Sequence, residues 1–254
     1  MTLGYKELAR ELREQIAQGR PEPGETLPRQ ADLAQEYGVN VKTVRAAVAL
    51  LESEGLVTPV RRRGTVVRER PQVRRLGAER YSKSKWKYGT VAFAADREAS
   101  ELPWSPSDQT QTVELTTPTQ EAADALKVSV DSLVYMRSRI IRLEGTPTHS
   151  LVSFYREEDV AGTPLVDPSP GPATRGGGFA VLTLQGLEPH RVKEEIGARM
   201  PAPVEAEALE VPAGEPVVIL KRTISTQTGR PVEFAIGVHR ASMFTWSYSF
   251  DMPD

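Results

Sequence analysis

Three residues, Gly38-Val39-Asn40, separate two short helical patterns near the start of the chain. A break that short makes the two helices cross steeply, as in a helix-turn-helix, and fixes most of what the first seventy residues can become. Ahead of it, Leu33, Ala34 and Tyr37 mark a helix that opens at Leu27-Pro28, and Gly38 sits where glycine commonly ends a helix. Behind it, Asn40 suits the N-cap of the next helix. There Val44, Val48 and Leu51 share one face, and Lys42, Arg45 and Ala49 the other. Upstream, Tyr5, Leu8, Leu12 and Ile16 fall on one face of a first helix, closed by Gly19 and the pair Pro21 and Pro23. Downstream, Gly55-Leu56-Val57 leads into two β-prone pieces, Thr58-Pro59-Val60 and Thr65-Val66-Val67. They flank Arg61-Arg62-Arg63-Gly64, which predicts a hairpin wing with a basic tip.

Such an order of elements suits double-stranded DNA. The first turn of the second helix of the pair enters the major groove, and its free N–H groups favour nearby phosphate. Arginines on a wing reach phosphates or a narrow minor groove. Charge is distributed accordingly. Residues 1–75 hold 14 Lys and Arg against 10 Asp and Glu, although the whole chain of 254 residues has a net charge of −2. A basic run alone is usually a solvated face; here it coincides with the elements that would meet a polyanion.

The length allows two domains. No run of 18 apolar residues offers a membrane span, and the N-terminus lacks a secretory signal, so a cytoplasmic protein is expected. With no cysteine there are no disulfides, thiolate metal sites or cysteine nucleophile. The three histidines, His149, His190 and His239, leave little for a metal site, and neither metal nor cofactor is expected.

Residues 68–88 are polar and basic with little apolar periodicity. The expected organisation is therefore a DNA-binding domain over 1–70, a linker over 71–88 and a second domain over 89–254. Thr90-Val91-Ala92-Phe93-Ala94 and Thr112-Val113-Glu114-Leu115 read as strands. A faint repeat follows, 83 residues apart, between 122–139 and 205–222. In it Ala125 and Ala208, Leu126 and Leu209, Val128 and Val211, Val134 and Val217, and Arg139 and Arg222 coincide. Each copy runs through Gly-x-Pro, Gly145-Thr146-Pro147 or Gly229-Arg230-Pro231, into another strand. Two units of helix, strand, turn and strand predict an α+β domain with an antiparallel main sheet. The Pro/Gly-rich stretch 162–178 joins them, and Phe179 to Gln185 forms a short helix.

Strand alternation places Tyr135, Arg137, Arg139 and Ile141 on one face, and Glu233, Ala235, Gly237 and His239 on another. Two guanidinium groups so placed repel unless solvated or given an anion. The small pair Ala235 and Gly237 leaves room for a ligand between the acid and the imidazole. The same pattern also fits solvent-facing arginines and a core histidine.

From Tyr5 to Val67 the chain resembles the DNA-binding domain of GntR-type regulators. The matching pieces are Leu27-Pro28, Asp32-Leu33-Ala34, Gly38-Val39, Thr43-Val44-Arg45, Leu50-Leu51-Glu52, Glu54-Gly55-Leu56-Val57 and Gly64-Thr65. The resemblance implies that Thr43 and Arg45 contact DNA, helped by Lys42 and the wing at Gly64. Ala31 and Val41 stand where family members carry arginine, and Arg29 is the candidate to stand in for the first. The candidate DNA contacts are Arg29, Asn40, Lys42, Thr43, Arg45, Arg61, Arg62, Arg63, Gly64 and Thr65.

Residues 89–250 resemble the UTRA effector-binding domain that marks the HutC subfamily of these regulators. The resemblance rests on Leu184-Gln185-Gly186-Leu187, Glu195-Ile196, Pro203 with Glu205-Ala206, Arg222-Thr223 and Gly229-Arg230-Pro231-Val232-Glu233-Phe234. It implies a chorismate lyase-like α+β fold with an antiparallel sheet and a cleft for a small, often anionic, effector. On sugar-phosphate-binding relatives Arg137 and Arg139 match the arginines that hold the phosphate. Ser105 matches a nearby hydroxyl donor, and Glu233 the acid that reads sugar hydroxyls. His149 stands where those relatives have an acid, and His239 where they have tyrosine. Gly178, at the start of the short helix, offers a backbone N–H in place of a serine. The candidate effector contacts are thus Ser105, Arg137, Arg139, His149, Gly178, Glu233 and His239, around an anion of a shape other than a sugar phosphate.

The reading favoured is a homodimeric, ligand-responsive repressor whose partners are double-stranded operator DNA and a small anion. A ligand-independent repressor with a vestigial pocket, for example of plasmid-transfer genes, is the alternative. A chorismate lyase-like enzyme is a remote one, because no nucleophile, base and orienting group are spaced for catalysis.

Overall fold

The computed structural model describes residues 3–60, 62–68 and 73–252. The chain divides into two compact units, residues 1–71 with 211–216, and residues 72–210 with 217–254.

In the first unit, α1 (Tyr5–Ala17), α2 (Gln30–Glu36) and α3 (Val41–Ser53) are followed by β1 (Val57–Val60) and β2 (Gly64–Val67). Leu8, Leu12, Leu33, Val44, Val48 and Leu51 form the buried seam that the helical periodicity predicts. Tyr5 is the exception, 42% exposed at the first turn of α1. The strands pair antiparallel with Val60 opposite Gly64, so residues 61–63 are the wing tip. The second helix begins at Gln30, later than expected at Leu27-Pro28. Leu27 is buried, and its N–H donates to the Thr65 carbonyl, so it belongs to the wing.

In the second unit β3 (Val73–Leu76), a 3-10 turn (Ala78–Tyr81), α4 (Lys83–Lys87) and α5 (Ala92–Glu98) precede β4 (Gln109–Thr116). Then come α6 (Gln120–Leu126), β5 (Val134–Leu143), β6 (Thr146–Arg156), α7 (Glu157–Val160) and α8 (Gly177–Leu184). The unit continues with β7 (Arg191–Arg199), α9 (Pro203–Ala208), β8 (Val217–Ser225), β9 (Pro231–Arg240) and β10 (Phe244–Ser247). Six strands form one antiparallel sheet in the order β4-β5-β6-β9-β8-β7. The repeat explains this order. Each copy contributes a strand, a helix and a hairpin, and the two hairpins meet at the centre, where β6 pairs with β9. A separate parallel pair joins β3 to β10, with Val73 opposite Phe244.

Two sequence expectations need correction. Residues 71–88 are not a linker: 73–87 carry β3, the 3-10 turn and α4, and fall in the second unit. Their polar composition conceals buried cations, since Arg75 pairs with Glu194 and Arg80 with Asp96 at 3.0 Å, while Val73, Leu76 and Trp86 are in the core. Residues 90–94 are not a strand but lead into α5. Val91 is its extended N-cap, and the Ala95 N–H closes the first helical turn on the Val91 carbonyl. Three alanines favour that helix, and five apolar residues cannot distinguish helix from strand by period.

Candidate functional site: a nucleic-acid face and a ligand cavity

The start of α3 is built as the sequence indicates. Asn40 Oδ1 accepts the Lys42 N–H at 2.8 Å, which satisfies one of the free donors of the first turn. Val44, Ala47 and Leu51 are fully buried, and this orients Lys42 and Arg45 outward. Thr43 is partly buried beside them, and Arg29 is exposed at the N-cap of α2. At the wing Arg62 takes a left-handed φ of 67° and lies exposed, followed by exposed Gly64 and half-buried Thr65. Arg63 is tethered, its Nη2 donating to the Gly24 carbonyl at 2.6 Å. Arg61 lies outside the described residues. Among the described residues Lys42, Arg45 and Arg62 have no ion-pair partner, so this face is an array of solvated cations.

In the second unit, one cavity lies over the side chains of β5, β6, β8 and β9, with α4, α5, the loop at 172–178 and the start of α8 as its other walls. The enclosed part of the cavity is about 90 Å³, and its mouth opens to solvent. The loop approaches α4 closely at Gly176, where a Cβ would fall 2.1 Å from the Trp86 carbonyl oxygen. Gly176 also has a φ of 85°, so both space and conformation require glycine there.

Arg137 and Arg139 both line this cavity. Arg137 is 1% exposed, and its Nε and Nη2 donate to Gln111 Oε1 at 3.1 and 2.5 Å. Burial, reinforced by Arg139, pushes its pKa down to about 10, so it keeps its proton at neutral pH. Arg139 donates to Ser153, whose hydroxyl donates to Glu233 Oε1 at 2.6 Å. Tyr155 donates to the same oxygen at 3.0 Å, and Arg222 Nη2 reaches both carboxylate oxygens at 3.0 and 3.1 Å. Burial alone would raise the Glu233 pKa; Arg222 and then Arg139 hold it below the usual carboxylate range. Burial and the neighbouring Glu233 push the Tyr155 phenol up to about 12. Of the lining arginines, Arg222 is matched by Glu233 and Arg80 by Asp96. Among the described residues, Arg137 and Arg139 have hydrogen-bond partners but no carboxylate.

Five of the seven expected effector contacts, Arg137, Arg139, His149, Gly178 and Glu233, line the cavity, and two do not. Ser105 instead caps the 3-10 turn at 106–108, accepting the Ser107 N–H, because Pro106 starts a turn there. Gln109 reaches the cavity in its place. His239 stacks against His149 at 4.7 Å with 5° between the rings, under Phe244 and Trp246. The room left by Gly237 is filled by that ring itself: a Cβ at 237 would lie 2.7 Å from His239 Cε1. Burial holds both imidazoles well below their ordinary pKa, with His239, Arg80, Arg97 and Arg75 adding to it at His149, and Arg75, Arg80 and Arg222 at His239, so both are neutral. The Thr148 hydroxyl donates to the Ile141 carbonyl, so its oxygen accepts from His149 Nδ1–H, and Nε2 is the bare nitrogen.

Sequence reasoning did not single out Arg222, Tyr155, Gln109, Trp86 or Phe179. A signal existed for Arg222, the repeat partner of Arg139. In the fold the two approach the Ser153–Glu233 pair from β8 and β5.

Residues 4–67 match the family described as bacterial regulatory proteins of the gntR family, and residues 105–245 match the UTRA domain. The HTH-type transcriptional regulator SCO4628 of Streptomyces coelicolor is 48% identical over 98% of this chain and 93% of its own length. The HTH-type transcriptional repressor NagR of Bacillus subtilis is 24% identical over 97% and 94%. Among solved structures, a GntR-family transcriptional regulator superposes with a TM-score of 0.62 at 28% identity, covering 98% of both chains. PhnF from Mycobacterium smegmatis shares the fold, with a TM-score of 0.56 at 20% identity over 96% of this chain and 99% of its own.

Proposed function

Since this chain belongs to the GntR family of bacterial transcription regulators, with a UTRA domain behind its winged helix, we propose that it is a repressor whose grip on operator DNA is set by a small anion in the Arg137–Arg139 cavity. The observation that carries the ligand reading is the guanidinium pair of buried Arg137 and half-buried Arg139, neither ion-paired to a carboxylate among the described residues, in a cavity whose Glu233 is already committed to Arg222. An uncompensated cation in a low-dielectric site gains most from an anion that enters. Gly178, at the start of α8, adds a helix N-terminus to the same wall.

On the DNA side, Lys42, Thr43 and Arg45 read the major groove from the first turns of α3, with Asn40 holding the helix start. Arg29 and Arg61 to Arg63 with Gly64 and Thr65 contact the backbone or minor groove. One winged helix reads a half-site, so the working form is a homodimer in the cytoplasm; a monomer by sedimentation at micromolar concentration, with and without operator, would refute that. The ligand alters DNA affinity only as far as it prefers one arrangement of the dimer.

The test begins with an operator selected from random duplexes and a calorimetric screen of anionic metabolites. At least one should bind the wild type, shift its operator affinity, and do neither to the Arg137→Ala/Arg139→Ala variant. A variant that binds operator normally and still responds like the wild type would remove the role given to this pair.

A further inference from the structure

Besides Arg137 and Arg139 the cavity is lined by the paired charges Arg80, Arg222 and Glu233, and much of the remaining wall is apolar. Val91, Phe93, Ile141, Pro172, Trp86 and Phe179 face the cavity. Phe93 packs edge-on against Trp104 at 5.9 Å, and Trp86 edge-on against Phe179 at 6.4 Å. These contacts hold the rings in fixed orientations, so they form walls rather than a mobile fringe.

A ligand rich in hydroxyls needs partners, because each hydroxyl buried without one costs about 1–3 kcal/mol. The acceptors here are few. Glu233 is 1% exposed, and its Oε1 already receives Ser153, Tyr155 and Arg222. Gln109 Nε2 spends its donors on Gln111 Oε1 and the Gly171 carbonyl. Among the described lining residues, the side-chain acceptors that remain are Gln109 Oε1, the Thr90 hydroxyl, the bare His149 nitrogen and Glu233 Oε2, the last already receiving Arg222.

Resting on the reading of the cavity as an anion site, we infer that its ligand is an aromatic acid: a flat, hydroxyl-poor body with a single anionic head. The head lies on Arg137 and Arg139, and the ring among Trp86, Phe93 and Phe179. Aromatic surface buried against aromatic walls gains both transfer free energy and edge-to-face contact. A polyol with the same head would leave hydroxyls stranded there.

The experiment holds the head constant and changes the body. Phenyl phosphate is compared with glucose 6-phosphate, and benzoate with gluconate, by calorimetry and tryptophan fluorescence on the full chain. The aryl member of at least one pair should bind tenfold or more tightly than its polyol counterpart. Phe179→Leu, at a half-buried wall position, should weaken the aryl probe several-fold and leave operator binding unchanged. Arg137→Ala/Arg139→Ala should abolish binding of every probe. Equal or tighter binding of the polyols, lost in the double-arginine variant, would overturn the aromatic assignment and leave the anion site standing. If no probe binds the wild type, both fall.

Discussion

The cations of the winged helix that would meet DNA, Lys42, Arg45 and Arg62, stand in water over a core of Leu, Val and Ala. In the second unit Arg75, Arg97, Arg137 and Arg222 are between 1% and 5% exposed, and among the described residues Arg75 is the first charged side chain in the chain to be buried. The contrast follows from the two partners. A duplex presents many charges at its surface, and exposed cations answer it additively, weakened by salt. A small molecule presents one or two charges, and discrimination then needs dry, fixed groups whose fields water does not attenuate. The first arrangement can be edited without disturbing the fold; the second is part of it.

The largest test of this contrast is Glu233→Gln. It leaves Arg222 against a neutral amide in a dry site, and loss of one buried ion-pair partner costs about 3–5 kcal/mol. Urea unfolding should show that loss, while Arg45→Ala shifts the midpoint hardly at all. A Glu233→Gln protein as stable as the wild type would mean the charges of the second unit are as wet as those of the first.

A pH series separates the units next. His149 and His239 are held neutral in the fold, with pKa values well below those of the unfolded chain, and no histidine precedes them. Above about pH 6.5 neither state is protonated at these rings, and they contribute nothing to the pH dependence. Below it the unfolded chain takes up protons that the folded unit refuses. Stability should therefore fall towards pH 5, at up to about 2.7 kcal/mol per pH unit for the two rings. Unfolding free energies that stay level between pH 7 and 5 would show that the stacked rings accept protons in place.

Smaller effects are expected at the DNA face. Arg45→Ala should weaken operator binding by about 1–3 kcal/mol, the worth of a bidentate base contact, with circular dichroism unchanged. Undiminished affinity in a gel-shift titration would take Arg45 out of the interface. Arg62→Ala should lower the slope of log affinity against log salt by about one unit, on all sequences alike. A change of preference at a single base pair instead would make the wing a reader of sequence.

The same contrast explains what was legible beforehand. Helix α1 and the pair α2–α3 announce themselves because their buried faces are purely apolar and recur at helical spacing: Leu8 with Leu12, and Val44, Val48 and Leu51. The repeat revealed the antiparallel sheet for a similar reason. Residues 73–88 were misread because Arg75 and Arg80 are interior residues that look like surface ones until Glu194 and Asp96, distant in sequence, are set beside them. Strand β7 escaped notice as an edge strand with mostly exposed side chains, which lacks a buried alternation. At the cavity, alternation placed Arg137, Arg139 and Glu233 correctly. It could not show that His239 would turn into the space above Gly237, since strand period gives the face of a side chain and not its rotamer.

The parallel pairing of β3 with β10 bears on how the protein is made. Every helix and strand of the winged helix lies within residues 5–67, whereas β3 stays without its partner until Phe244 to Ser247 have been synthesised. At about 5–20 residues per second, roughly 10–40 s separate the two events. During that interval a nascent chain carries the helices and strands of the winged helix without residues 211–216 of the same unit, and an effector unit still unclasped at its first strand, with Val73 and Leu76 awaiting cover. Neither unit is thus complete until the ribosome has passed residue 210.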